Sequence, residues 1–300
     1  MLNSTPFFSI VIPTYNRKEV LFKNLLSLEN QTFRDFEVVV SDDGSNDGSY
    51  DLISSYCFNY DLKYIFSDNW GGPAKPRNLG INSSNGRWIC FLDSDDFWFN
   101  NKLEIIYNRI RIDSFNINFI YHHNLRLSNN QNSVIFPSRP ISLSTLLSSG
   151  NSIYLSSVCV SKMILSQIDG FSENPRFIGV EDYDLYIRLA LNGCSFKYVT
   201  NTLGIYTIGH DNLSSDFLRQ IEKVDYLLHE HVSRMDLNNS EQYMGKVDSL
   251  IDYMYGNYFT DKNDYLNAKI YFKKVFLYRT SSFLLKSKSL LKYIKCTLKY

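Results

Sequence analysis

The sequence predicts an α/β protein: a doubly wound, mostly parallel sheet flanked by helices, followed by a helical C-terminal extension. Three observations carry this expectation. Short β-branched and aromatic runs alternate with amphipathic stretches over the first two thirds of the chain. Asp42, Asp43, Asp93, Asp95 and Asp96 fall where such runs end, the place at which open α/β sheets bind ligands. From about Leu213 onward the apolar spacing is helical.

The elements follow in order. Phe7 to Ile12 (FFSIVI) and Phe36 to Val40 (FEVVV) read as buried strands, one ending at Pro13 and the other in an acidic, Gly-rich turn. Between them Asn16 and Glu19 have capping-box spacing, and Leu21, Leu25 and Leu28 recur at helical intervals. Lys63 to Phe66 is the next strand, followed by GGPAKPRNLG and a short helix from about Arg77 to Ser83. Arg87 to Leu92 (RWICFL) then runs directly into Asp93. Asn118 to Arg126 and Ile153 to Val160 are further strands, and Asp182 to Leu191 is a helix. Ser128 to Ser152, rich in Ser and Asn with two prolines, reads as a mobile surface loop.

A chain of 300 residues with 44% apolar and 21% charged residues accommodates one large domain and an appendage, divided here as 1–212 and 213–300. No apolar run approaches the roughly 18 residues of a spanning helix, and MLNSTPFFSIVIP lacks the pattern of an export signal, so the expected location is the cytoplasm. Five scattered cysteines without CxxC spacing argue against a disulfide framework and a zinc site. The zero net charge hides an asymmetry. Tyr265 to Tyr300 contains nine Lys or Arg and no acid, which leaves 22 basic against 31 acidic residues before it. A basic excess confined to the tail, beside a body with an acidic excess, argues against a nucleic-acid partner.

Five segments could carry chemistry. In FLDSDDFW an apolar strand delivers Asp93, Asp95 and Asp96 to a turn; such oxygens suit a hard divalent cation held together with substrate phosphates, or form an acidic cap for the next helix. In VVVSDDGSNDGS, Asp42 or Asp43 could accept the imide hydrogen bond of a nucleobase, or build an Asx turn. GGPAKPRNLG sets Lys75 and Arg77 beside a helix start, suited to a diphosphate or simply a surface loop. In FIGVEDYDLYIRLA, Glu181 and Asp182 cap a helix or supply a general base. IYTIGHDNLSS carries His210, a metal ligand or a structural histidine. His122 and His123 are adjacent on a strand and His229 and His231 are two apart on a helix, so neither pair converges on one ligand.

Taken in order, SIVIPTYNR, VVVSDDGSNDGS, GPAKPRNLGI, FLDSDDFW, VEDYDLYIRL and GHDNLS resemble the family 2 glycosyltransferases of the GT-A fold, from about Phe8 to Ser214. The resemblance implies a nucleotide-sugar donor, with Pro13 and Tyr15 flanking a uracil ring and Asp42, or else Asp43, accepting its N3–H. It implies Arg77 and Lys75 at the diphosphate, and Asp93 and Ser94 on the nucleotide sugar. Asp95, with Asp93 and His210, would hold a divalent metal, Mn²⁺ or Mg²⁺; a one-residue shift would give that role to Asp96. Asp182 would be the catalytic base of an inverting transfer to a hydroxyl on a glycan or lipid-linked acceptor, in surface polysaccharide or lipopolysaccharide synthesis. Lys75 and Pro76 stand where many relatives have small residues.

Two alternatives compete. An apolar strand ending in DxD also describes phosphotransferases of the haloacid dehalogenase type, although these expect Gly and Thr after the motif where Asp96 and Phe97 stand. A nucleotide-sugar-binding protein without turnover would keep the same motifs. In the tail, Lys288, Lys292, Lys295 and Lys299 recur beside Leu291, Ile294 and Leu298, a basic amphipathic helix that could lie on the inner face of a membrane, dock on the acidic body or mediate a homodimer.

Overall fold

The computed structural model describes residues 5–113, 117–127, 133–137, 141–207 and 216–299. They form two compact units, one of residues up to 140 with 152–210, the other of 141–151 with the residues after 210.

The first unit opens with β1 (Phe8–Thr14), α1 (Lys18–Leu28), β2 (Phe36–Asp42), α2 (Ser49–Ser54), β3 (Asp61–Phe66), α3 (Ala74–Ser83) and β4 (Trp88–Phe91). β1, β2, β3 and β4 are parallel and lie in the order β3-β2-β1-β4. This half fits the sequence because β1, β2 and β4 are buried along their whole length and need apolar side chains on both faces. The chain continues through β5 (Phe97–Trp98), α4 (Lys102–Ile112), β6 (Phe119–Leu127) and β7 (Ser133–Ile135). In the second unit α5 (Leu143–Ser149) follows; the first resumes with β8 (Cys159–Ser161), α6 (Lys162–Gln167), α7 (Glu181–Leu191) and β9 (Phe196–Thr207). β8 joins β4 to β6 antiparallel to both, and β9 runs parallel to β6 and carries β5 at its outer edge. The core packs Phe8, Ile10 and Ile12 against Leu21 and Leu25 of α1, with Val38, Val40, Cys90 and Leu103.

The structure departs from the sequence reading in three places. Asn16 does not cap α1: it takes a left-handed backbone (φ 49°) and its side chain accepts from Asn46 N at 2.9 Å. Asp47 supplies the cap from a remote loop, accepting from Lys18 N at 2.8 Å, because a tertiary carboxylate reaches the free amide that the local side chain does not. The expected loop from Ser128 to Ser152 contains β7 and α5; Ser142 and Thr145 form a capping box, and Leu146 and Leu147 are buried. The expected strand from Ile153 to Val160 is a 3₁₀ turn at Leu155–Ser157 followed by β8.

The second unit also contains α8 (Phe217–Ser233), α9 (Leu237–Asp261), α10 (Tyr265–Leu277) and α11 (Phe283–Lys299). Asp216, Asp236 and Asp264 cap the first three, each accepting from the amide three residues on. Gly256 lets α9 approach α10 closely, since a Cβ there would sit 2.6 Å from the Phe272 ring. Ala268, Phe272 and Cys296 form the core of this packing.

Candidate active site

The register of the parallel half brings the acidic ends of the strands together. Thr14 pairs with Asp42 and Val11 with Phe91, so the chain leaves β1, β2 and β4 at one edge. Asp43 N donates to Thr14 O at 2.9 Å and Leu92 N to Val11 O at 3.1 Å, carrying the alignment one residue further.

Asp42 and Asp43 are both buried, and each already holds two donors. Asp42 accepts from Ser45 N at 2.8 Å and from the Tyr64 hydroxyl on β3. Burial and this carboxylate together push the Tyr64 phenol far up. Asp43 accepts from Trp70 N at 2.9 Å and Gly71 N at 3.1 Å. The pair therefore ties the loop after β2 to the loop before α3. Gly44 is required at the turn, with φ +86° and no room for a Cβ against Asn69 N. Pro13 is buried, whereas Tyr15 is 48% exposed.

Arg77 is the hub. Only 4% exposed, it donates from one guanidinium nitrogen to Glu181 at 2.7 Å and from the other to Asp93 at 2.8 Å, above the Phe171 ring. Burial works against its charge, and Asp93 and Glu181 more than offset it, so the guanidinium stays cationic. α3 can carry Arg77 there because Gly80 packs on β1, where a Cβ would meet Val11 at 2.5 Å. Lys75, two residues earlier on α3, is half-buried. The resemblance implies Arg77 at the diphosphate; here it is buried between two carboxylates.

The DxD segment divides its acids. Asp95 is 25% exposed and ion-paired with Arg17 at the start of α1. Asp96 is 2% exposed and turned inward, accepting from Thr207 N at 3.1 Å, and burial, with Asp93 close by, pushes its carboxyl well up. Ser94 is buried. Of the three acids in this turn, Asp96 is the most deeply buried. Among the described residues no cluster of three or more His, Cys, Asp or Glu converges on one point. The donor set nevertheless fits a cation that brings its own phosphates, since Asp95 offers an accessible hard oxygen and one or two carboxylates suffice in that case. His210 lies outside the described residues.

At the start of α7, Glu181 accepts from Arg77 and from Gly179 N at 2.6 Å, and is buried. Asp182 is partly exposed and accepts from Tyr183 N at 2.7 Å. Burial of the carboxylate and the neighbouring Glu181 raise the Asp182 pKa to about 7, against the pull of Arg77. That value suits a general base near neutral pH.

Three contributors escaped sequence reasoning. Ser156 accepts from Asp93 N at 3.0 Å, and its carbonyl accepts from the Trp98 indole and from Lys102 Nζ at 2.7 Å. Lys102 is fully buried over the Trp98 ring, and burial pulls its amine down to about 7. Arg17 follows the TYN segment closely enough to have drawn attention, but Ser156 and Lys102 carry no local pattern.

The fold is that of the GT-A class, a mixed α/β sheet, mostly parallel, with C-terminal helices. Residues 9–149, just under half of the chain, match the family described as Glycosyl transferase family 2. An uncharacterized glycosyltransferase of Rickettsia bellii is 42% identical over 115 residues, 38% of this chain and 16% of that protein. An uncharacterized glycosyltransferase of Haemophilus influenzae is 29% identical over 76% of this chain and 78% of its own length. A Campylobacter jejuni GalNAc(5)-diNAcBac-PP-undecaprenol beta-1,3-glucosyltransferase is 37% identical over 30% of each chain. The chain thus spans about a sixth of the Rickettsia relative. Among solved structures, Staphylococcus aureus TarS 1-349 in complex with UDP-GlcNAc superposes with a TM-score of 0.69 at 19% identity, over 98% of this chain and 91% of that one. The mannosyltransferase PcManGT of Pyrobaculum calidifontis, in complex with GDP-Man and Mn²⁺, gives 0.63 at 13% identity, over 99% and 82%.

Proposed function

We propose that this protein is an inverting glycosyltransferase that moves a sugar from a nucleoside diphosphate donor, UDP in the first instance, to a hydroxyl of a glycan or lipid-linked acceptor. The observation that carries the reading is the Arg77 bridge, which ties Asp93 at the donor edge of the sheet to Glu181, beside a carboxylate poised to accept a proton near neutral pH.

In this reading Pro13 and exposed Tyr15 flank the base, and Asp42 or Asp43 accepts its imide N–H through a lone pair left over from its backbone contacts. Lys75 meets the diphosphate at the helix start, where backbone amides add to its charge. Asp95, assisted by Asp93, would hold a divalent cation, Mn²⁺ or Mg²⁺, which supplies charge neutralisation of the departing diphosphate when bound. Asp182 removes the acceptor proton as the hydroxyl attacks the anomeric carbon from the opposite side. The C1–O bond to the diphosphate breaks as the new one forms, and the transition state is oxocarbenium-like. One base suffices because the leaving group needs no proton.

The name of the Campylobacter relative, a glucosyltransferase of GalNAc(5)-diNAcBac-PP-undecaprenol, supports a lipid-linked glycan as the acceptor, and from it we extend the reading to surface polysaccharide or lipopolysaccharide synthesis. The test is thermal unfolding with UDP-, GDP- and dTDP-sugars, each with and without Mn²⁺, because a ligand of the native state raises its apparent stability. Cation-dependent stabilisation by a UDP-sugar, lost in Asp95→Ala, is expected. No stabilisation by any of the three would overturn the reading.

A further inference from the structure

We propose that α11 is a docking element for bilayers containing anionic phospholipid, lying in the plane of the membrane surface. The inference does not depend on the transferase reading.

α11 packs on its neighbours through Leu285, Ser289 and Cys296, all buried and separated by four and seven residues. At 100° per residue these fall on one side of the helix. On the same wheel Phe283, Leu284, Leu290, Leu291, Ile294 and Leu298 gather on the opposite side. All six are exposed, Phe283 at 87%, Leu291 at 69% and Leu298 at 83%. An ordinary surface helix turns its apolar stripe inward and its charges outward. α11 instead points a continuous apolar stripe away from its packing partners, and such patches mark interaction surfaces.

The charges identify the occupant. Lys288, Lys292, Lys295 and Lys299 line one flank of the stripe, Lys286 lies toward the other, and the helix has no acid. α10 repeats the combination: Leu266, Ile270 and Leu277 are exposed, and Lys269, Lys273 and Lys274 belong to the same helix. A second copy of the chain fits poorly, because a symmetric contact between two α11 helices would bring five lysines from each into one interface without a carboxylate from either helix. An anionic bilayer satisfies both features. The stripe enters the acyl boundary while the lysines extend their stems toward the headgroups. Spanning is not the geometry, since no helix among the described residues is long and apolar enough to cross a membrane.

The full chain should float with vesicles of phosphatidylglycerol and phosphatidylcholine in equal parts, more weakly as salt rises, and not with phosphatidylcholine alone. Each basic residue near anionic headgroups is worth about fivefold in partitioning, so replacing Lys288, Lys295 and Lys299 together by Gln should lower binding about a hundredfold. Leu291→Glu with Leu298→Glu should abolish it, with the far-UV spectrum and unfolding temperature retained because both positions are exposed. Leu298→Trp should give a blue-shifted emission on adding the anionic vesicles only. Absence of binding to the anionic vesicles, or equal binding by the Glu variant, would overturn the proposal. So would a mass by light scattering of twice the parent's 35.0 kDa that the Glu variant halves, with no vesicle binding by either.

Discussion

Arg17, at the start of α1, ion-pairs with Asp95, the most accessible acid of the DxD turn after Asp93. The guanidinium occupies the carboxylate that a donor-bound cation would use. Arg17→Ala should therefore tighten Mn²⁺-dependent UDP binding. Partly exposed ion pairs are worth roughly 0.2–1 kcal/mol, so a gain of up to about fivefold by calorimetry is expected. Unchanged or weaker binding would show that the pair does not compete with the cation.

Asp182 must be ionised to act as a base, and its pKa near 7 places half of it in the neutral form there. Transfer should rise with pH to a plateau, with a limb in kcat/KM near 7. Asp182→Asn should lose about 10² to 10⁴ in rate and the limb with it, while still binding UDP. A variant with near-normal turnover would remove Asp182 from the reaction.

The Arg77 bridge is a buried charge cluster, so removing its centre should cost more than an exposed pair would. Arg77→Met leaves Asp93 and Glu181 facing each other without a cation, and a loss of about 3–5 kcal/mol in urea unfolding is expected. Arg77→Lys keeps the charge and loses the two-pronged geometry, so it should fall between. In the background of Arg77→Met, Glu181→Gln should recover part of the loss, by about 1–3 kcal/mol. Strict additivity of the two changes would mean that the residues do not act as one cluster.

In the helical unit, His229 of α8 meets Asp225 one turn back and Asp248 of α9 at 3.0 Å. The hydrogen bond to Asp225 is the main cause that raises its pKa to about 9 from 6.5. The native state then holds this proton more tightly than the unfolded chain. The resulting stability is complete below about 6.5 and disappears as pH rises through about 9. Because the side chain is more than a third exposed, screening keeps the effect near ~1 kcal/mol or less. His229→Gln should be less stable than the parent by that amount at pH ~6 and equal to it at pH ~10 by urea titration.

The parallel half of the sheet was legible because strands buried on both faces are written as unbroken apolar runs, and because Asp42 and Asp93 follow those runs directly. The acid at position 182 was legible only as one of a pair at the start of an amphipathic helix, where a cap and a base look alike. α5 was not: its apolar residues are few, and their burial depends on packing with α9. Nor was the cap of α1, which comes from Asp47, 29 residues beyond the Lys18 amide it accepts from.

Sequence alone carried the resemblance to the family, the edge at which the parallel strands end and the set of acids gathered there, since these depend on local pattern and order. Only tertiary structure decided how those acids differ. Burial and partners are properties of the folded neighbourhood: they turn Asp96 inward, give Asp95 to Arg17, and seal Arg77 between Asp93 and Glu181. The same holds for α11, whose apolar stripe is plain in the sequence but whose outward direction follows from which side packs on its neighbours.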